Sequence, residues 1–119
     1  MQFAMFIYQG TTPLPNTAAW EALTEDEQKQ IYADYAALNS NPAVTPGVPL
    51  GLPAQAKTVR VDNGKTTSTD GPFLGVDGAV GGYFVLEADD EAAAIKLAAT
   101  LPPARHGGAI EIRPVATYW

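Results

Sequence analysis

Residues Ala79 to Glu87, with the sequence AVGGYFVLE, decide the fold of this chain. The run is almost continuously apolar, which predicts a buried strand. Residues Gln2 to Tyr8 (QFAMFIY) form a second apolar run, which Gly10 and Pro13 bring to an end. Both runs are short and contain aromatic residues, so we expect each of them to form a strand inside the domain.

A helix is predicted after the first of these strands. Thr24 and Glu27 have the spacing of a capping box, in which the Thr hydroxyl and the Glu carboxylate each accept a hydrogen bond from a backbone N–H group. The helix should extend to about Asn39. Its apolar face would consist of Ile31, Tyr35 and Leu38, at spacings of four and three residues.

A second helix is predicted after the second strand. Acidic residues at 89–91 favour a helix start, because they lie at the positive end of the helix dipole. Apolar residues then repeat at helical spacing until Pro102 and Pro103, where we expect the helix to end. The final segment, Ile110 to Arg113, alternates between apolar and charged residues and predicts a half-exposed strand.

Two further features lie between the helices. Lys57 to Val61 and Lys65 to Thr69 flank Asn63-Gly64, and this pair favours a type I′ turn, so a β-hairpin is predicted. Residues 42–53 are rich in proline and glycine. They should contain at most a short edge strand, because proline donates no hydrogen bond to a neighbouring strand.

These elements predict an α+β fold. The order is strand, helix, hairpin with a further strand, helix and strand, which corresponds most simply to a ferredoxin-like βαββαβ sandwich with an extra β-hairpin. A chain of 119 residues has the length of one domain, so residues 1–119 are predicted to form a single unit.

The two apolar strands also predict an assembly. Phe3, Met5 and Ile7 lie on one side of the first strand, with Ala4, Phe6 and Tyr8 on the other. In the second strand, Phe84 and Leu86 alternate with Tyr83 and Val85. Two helices cover one face of such a sheet, so the other apolar face needs a second cover. We therefore expect a homodimer packed sheet to sheet.

Composition excludes several classes of function. The chain has 7 basic and 13 acidic residues, a net charge of −6 and no basic cluster, so nucleic acid is not expected as a partner. No signal sequence or membrane span is predicted, which indicates a soluble protein with no membrane partner. Cysteine is absent, as expected in a reducing cytoplasm. With one histidine and no nucleotide-binding motif, neither a metal nor a cofactor is expected.

The most unusual short motif is Asp70-Gly71-Pro72-Phe73. One interpretation is a turn, in which the aspartate accepts backbone hydrogen bonds and Gly-Pro reverses the chain. The other is a site, in which Asp70 acts as an acid or base at the mouth of an aromatic cavity. The candidate walls of that cavity are Tyr8, Tyr35, Phe73 and Tyr83, although aromatic residues at these spacings also occur as core. His106 is more simply a loop residue than a catalytic one.

The motif belongs to a wider pattern, and with it the sequence resembles the YCII-related proteins of the DGPF type. The segments that carry the resemblance are Thr69 to Phe73 (TDGPF), Gly81 to Ala88 (GGYFVLEA) and Gly107 to Val115 (GGAIEIRPV). Met5 to Tyr8 and Thr58 to Arg60 also fit, so the resemblance covers nearly the whole chain.

The resemblance implies a ferredoxin-like subunit that dimerises into an α/β barrel. Members of the wider group include dehydrochlorinases, lactone isomerases and monooxygenases, while some DGPF proteins accompany sigma factors. YCII-like relatives are thought to pair an aspartate with a histidine from the first helix region. Here Tyr32, Asp34 and Tyr35 stand where that histidine would be sought, and residues 74–78 lack the family's usual Glu- and Lys-rich composition.

Two functions therefore remain open. One is a small-molecule site near Asp70, of a binding protein or of an enzyme resembling a lyase or isomerase. The other is a non-catalytic dimeric module, structural or regulatory, that serves a partner protein such as a sigma factor. The residues leave open which of the two applies, and whether any reaction is catalysed.

Overall fold

The computed structural model describes residues 1–75 and 78–118, and Val76, Asp77 and Trp119 lie outside this description. The strands are β1 (Gln2–Tyr8), β2 (Val44–Pro46), β3 (Lys57–Asp62), β4 (Lys65–Asp70), β5 (Val80–Glu87) and β6 (Ala109–Pro114). The helices are α1 (Ala18–Glu21), α2 (Glu25–Ser40), α3 (Glu91–Ala98) and α4 (Pro102–Arg105). An antiparallel sheet has the order β2-β5-β1-β6, and β3 pairs with β4 in a separate sheet. The α+β class and the extra hairpin are confirmed.

The core lies between one face of the larger sheet and the helices. In the register of β1 with β5, Phe3 is opposite Leu86 and Met5 is opposite Phe84, and all four side chains are buried. The residues that pack over them from the helical side are Leu38, Ala94, Ala98 and Leu101. The apolar runs at both strands are explained by this position in the middle of the sheet.

Side-chain caps fix where α2 and α3 begin. Thr24 Oγ1 accepts a hydrogen bond from the backbone N–H of Glu27 at 3.1 Å, and Glu27 Oε1 accepts one from the N–H of Thr24 at 3.3 Å. The predicted capping box is confirmed. In α3, Asp90 Oδ1 accepts from the N–H of Ala93 at 2.8 Å.

The prediction for the end of the second helix was wrong. Helix α3 ends at Ala98, and Pro102 and Pro103 start the short helix α4 instead of ending a longer one. Proline fits the first turn of a helix, because the N–H group that it lacks has no intrahelical acceptor there. Both prolines are buried, and α4 places Arg105 in an ion pair with Asp34 of α2.

The proline-rich segment does contain a short edge strand, as expected. Beyond β2 the chain continues along β5 as an extended strap (residues 46–50), and the N–H of Leu50 donates to the carbonyl of Gly81 at 3.3 Å. Gly47 allows this close approach. A Cβ atom there would lie 2.2 Å from the Tyr83 carbonyl oxygen and 2.7 Å from the Tyr83 ring.

The hairpin forms an arm that stands away from the core. Asn63 and Gly64 have φ values of 49° and 77°, as the predicted type I′ turn requires. Val59 and Val61 are 63% and 67% exposed. The radius of gyration of 16.3 Å exceeds the value of about 13.5 Å expected for a compact chain of this length.

The second face of the larger sheet is less buried than the face that carries the core. The side chains of Ala4, Phe6 and Val85 are half-buried there, and Tyr83 is 45% exposed. We call these four residues the open face. Separately, none of the helices within residues 1–75 and 78–118 has the length and hydropathy needed to cross a membrane.

Candidate functional site

A cavity of about 440 Å³ lies where the DGPF motif meets the end of β1. We call it the loop pocket. Its described lining residues are Tyr8, Leu50, Gly51, Leu52, Pro53, Gln55, Ala56, Pro72, Phe73, Leu74, Gly78, Ala79 and Val80. The walls are mostly apolar, and the cavity is within the size range of small-molecule sites.

Hydrogen bonds join the DGPF turn to Ala56, just before β3, and to Thr58 in β3. Gly71 has a φ of 98°, and its N–H donates to the carbonyl of Ala56 at 2.8 Å. The hydroxyl of Thr58 donates to the Gly71 carbonyl at 2.7 Å. The Arg60 guanidinium lies 5.4 Å from the centre of the Phe73 ring, within cation–π distance. These contacts hold Phe73 against the mouth of the pocket.

Asp70 lies beside this pocket but is not one of its lining residues. Its side chain is 85% exposed and forms an ion pair with Lys57, the residue opposite it in the hairpin. An exposed pair of this kind contributes little to stability, so it leaves Asp70 free to exchange partners. The role of Asp70 as an acid or base stays a prediction.

A second cavity, of about 290 Å³, lies between α2 and the strap. We call it the strap pocket. Its described lining residues are Ile7, Gln9, Leu14, Tyr35, Leu38, Asn39, Val44, Pro46, Gly47, Val48, Pro49, Gly81, Gly82, Tyr83 and Phe84. The candidate aromatic residues are thus divided. Tyr8 and Phe73 meet at the loop pocket, whereas Tyr35 and Tyr83 meet at the strap pocket.

The Tyr35 phenol has a shifted pKa. Burial raises the pKa of Tyr35 above its usual value, a hydrogen bond from the Gln9 side chain acts to lower it, and the negative charge of Asp34 acts to raise it. The net direction is upward, so at neutral pH this phenol is protonated and can donate a hydrogen bond.

This shift predicts a pH dependence of stability. Because the pKa of Tyr35 is higher in the folded chain, the unfolded chain loses the phenol proton first. The contribution of this group is therefore fully present below a pH of about 10 and is lost as the pH rises further. In urea denaturation from pH 9 to 11, Tyr35→Phe should show a smaller fall in the free energy of unfolding than the wild type.

The control for that measurement is Tyr32→Phe, which removes an exposed phenol from the same helix. It measures the effect of losing an exposed hydroxyl, with which Tyr35→Phe is compared. If Tyr35→Phe loses as much stability as the wild type between pH 9 and 11, the proposed effect of burial on this phenol is wrong.

Gln9 is a site residue that sequence reasoning missed. The pairing of β1 with β5 shifts register between Ile7 and Tyr8, because Tyr8 pairs with Val80 and leaves Gly81 without a partner residue. Gln9 packs over this glycine, where a Cβ atom would lie 2.7 Å from the Gln9 Cγ. The sequence shows a polar side chain directly after an apolar strand, but it does not show that this side chain lies against Gly81.

Asp34 lies in the part of the chain where the resemblance to YCII-like proteins implies a histidine. Asp34 on α2 is mostly buried and pairs with Arg105, whose other guanidinium nitrogen donates to the Thr100 carbonyl at 2.7 Å. This pair joins α2 to α4. His106 lies at the C-terminal end of α4 and lines neither pocket. Within residues 1–75 and 78–118, the acidic residues and the histidine form no group of three or more that could hold a metal ion.

The fold and these pockets define a small α+β domain with a signature loop beside a cavity, and sequence comparison gives its family. The YCII-related domain matches residues 1–118, so the chain belongs to the YCII-related domain family. No curated protein sequence matched the chain.

Proposed function

We propose that this protein binds a small molecule in the loop pocket. The observation that carries the proposal is the cavity of about 440 Å³ beside the DGPF motif, with Tyr8 and Phe73 in its walls. A concave, mostly apolar cavity with few polar groups is the usual form of a small-molecule site. Tyr8 supplies a phenol that can orient a polar group of the ligand.

The lining of the pocket supports binding more strongly than catalysis. Tyr8 is the one ionisable side chain among the described lining residues, whereas Asp70 is outside the lining and pairs with Lys57. General acid–base catalysis needs a group within hydrogen-bond distance of the reacting atom. An activity resembling that of a lyase or isomerase would therefore require Asp70 to turn toward the cavity.

Binding can be tested with a set of phenolic and lactone fragments, followed by ligand-observed NMR. Phe73→Ala is expected to weaken binding about tenfold, because it removes a wall of the cavity. Val59→Ala is the matched control, since it shortens an exposed apolar side chain outside this pocket. Equal losses in Phe73→Ala and Val59→Ala would contradict the assignment of the site.

The same measurement tests Asp70. If this carboxylate contacts the ligand, Asp70→Asn should weaken binding about tenfold, because a hydrogen bond to a charged group is lost. Lys57→Met removes the partner of the ion pair and keeps Asp70, so it should leave the affinity within about twofold. An unchanged affinity in Asp70→Asn would reject its role in the site.

We also propose that two copies pack through their open faces. The strand order β2-β5-β1-β6, with helices after β1 and β5, supports a ferredoxin-like subunit in which β3 and β4 are an addition. The other face of that sheet carries Phe6, Tyr83 and Val85 and needs a cover.

Charge on the neighbouring strand favours a second copy as that cover. In the register of β1 with β6, Glu111 pairs with Phe6 and Arg113 pairs with Ala4. A negative and a positive side chain, two residues apart on β6, therefore border the open face. A two-fold axis brings the same surface of each subunit together. Glu111 of one copy can then approach Arg113 of the other, which makes this face complementary to itself.

The dimer is tested by light scattering at micromolar concentration. The wild type should have twice the chain mass of 12.5 kDa, and Phe6→Lys should have the mass of one chain. Within one subunit the new lysine can pair with Glu111, so the substitution opposes assembly more than folding. Ile95→Lys, on an exposed position of α3, is the control and should remain dimeric. A wild type with the mass of one chain would overturn the proposal.

The hairpin arm favours a second candidate function, a non-catalytic module. Val59 and Val61 are exposed on β3 and could pack against a partner protein. This candidate predicts that no fragment binds at the loop pocket while the homodimer still forms. Fragment binding that depends on Phe73 would favour the small-molecule site instead.

A further inference from the structure

The strap pocket contains a polar atom that the fold leaves without a partner. The Oε1 atom of Gln9 is almost fully shielded from solvent, and no described residue donates a hydrogen bond to it. Buried acceptors in folded proteins nearly always have a partner, so each exception needs an explanation. Gln9 lines the strap pocket, where a bound molecule could supply the missing donor.

A donor lies next to this acceptor. The Tyr35 phenol lines the same pocket as Gln9. A phenol O–H can donate a hydrogen bond. The pocket therefore offers an acceptor without a partner, Gln9 Oε1, and a donor group, the Tyr35 hydroxyl. A hydroxyl group both donates and accepts, and so can bind both atoms at once.

The remaining walls favour an apolar, uncharged molecule. Ile7, Leu38 and Val48 contribute aliphatic side chains, and the described lining includes no Lys, Arg, Asp, Glu or His. Moving an ionised group into such a site without a counter-charge is strongly unfavourable. The volume of about 290 Å³ lies near the lower limit of small-molecule pockets, so the molecule must be compact.

We propose that the strap pocket is a second small-molecule site, which takes a compact neutral alcohol or phenol and binds its hydroxyl group between Gln9 Oε1 and the Tyr35 hydroxyl. This site is separate from the loop pocket. Ile7 and Tyr8 are successive residues of β1 and point to opposite faces of the sheet, and they line different pockets. The residues of α2 that line the strap pocket, among them Tyr35 and Leu38, lie on the face opposite to Tyr8.

The test compares 4-methylphenol with 1,4-dimethylbenzene, which has the same shape and a methyl group in place of the hydroxyl. Binding is followed by NMR titration of the backbone amides. The wild type should bind 4-methylphenol at least tenfold more tightly, because the hydrocarbon leaves Gln9 Oε1 unpaired. The amide signals of Val48 and Gly82, at the strap pocket, should shift more than those of Leu52 and Phe73, at the loop pocket.

Two variants assign the preference to the polar pair. Gln9→Met keeps an unbranched side chain of similar length and removes the acceptor, and Tyr35→Phe removes the phenol hydroxyl. Each should lower the affinity for 4-methylphenol about tenfold and leave that for 1,4-dimethylbenzene within about twofold. Val61→Ala, at an exposed position that lines neither pocket, is the matched control and should change neither affinity.

Several outcomes would overturn the proposal. They are equal affinities of the two probes in the wild type, amide shifts confined to the loop pocket, and an unchanged preference in Gln9→Met. Equal affinities of the two probes are also expected if an internal water molecule donates the missing hydrogen bond to Gln9 Oε1. If Gln9→Met fails to fold, the comparison of the two probes in the wild type and in Tyr35→Phe still decides the question.

Discussion

Replacing Phe3 by alanine is expected to lower the free energy of unfolding by about 3–5 kcal/mol, which is the usual cost of removing a buried phenyl ring. Phe3 is only 2% exposed and lies on β1, between Leu86 of β5 and Pro114 of β6. Packing from both neighbouring strands and from the helical side limits how far the surroundings can close over the empty space. The measurement is urea denaturation followed by circular dichroism.

The control for this prediction is Val61→Ala on the hairpin arm. Val61 is also an apolar strand residue, but it is 67% exposed, so its truncation should change the free energy of unfolding by less than about 0.5 kcal/mol. Similar losses in Phe3→Ala and Val61→Ala would mean that β1 is not the centre of the core. That result would contradict the sheet order described above.

Gly108→Ala is the second substitution with a large expected effect, a loss of about 3 kcal/mol. A Cβ atom at this position would lie 2.2 Å from the Tyr8 carbonyl oxygen and 2.6 Å from that of Gln9. Both contacts are with backbone, so no side-chain rotation can relieve them. The backbone at Gly108 must therefore move away from the backbone of Tyr8 and Gln9, where β6 begins beside the end of β1. This movement also disturbs the position of Gln9.

Gly82→Ala provides the matched comparison. Gly82 is buried in the same sheet, but an added Cβ would meet Ile7 Cδ1 at 3.8 Å and the Val48 carbonyl oxygen at 4.0 Å, which are ordinary contacts. We expect a change of less than about 1 kcal/mol, measured by the same denaturation experiment. A loss at Gly82 equal to that at Gly108 would show that close backbone contact is not the cause.

The parts of the fold that sequence predicted correctly depend on local signals. The Thr24 capping box and the Asn63-Gly64 turn are each defined by residues close together in the sequence. The apolar runs at β1 and β5 predict buried strands from their composition alone. The end of α3 could not be located in this way. Pro102 can end one helix or begin the next, and the choice depends on the packing of α4 against the rest of the fold.

The candidate site was harder to predict because its residues are distributed over both faces of the sheet. Tyr8 has the same side-chain direction as Phe6, toward the open face, whereas Tyr35 lies on the helix that covers the opposite face. The alternation along β1 therefore places Tyr8 on the face opposite to the one that α2 covers, and so apart from Tyr35. The position of Gln9 depends on a register shift between strands that are more than 70 residues apart in sequence, which no local pattern shows.

That separation has a consequence for the order of events during synthesis. Strand β1 ends at Tyr8 and its partner β5 begins at Val80, so the ribosome must add the residues between them before the central pair can form. At 5–20 residues per second this takes about 4–14 s. During that time the segment QFAMFIY has no strand beside it, which makes it the segment of the nascent chain where we expect a chaperone to bind.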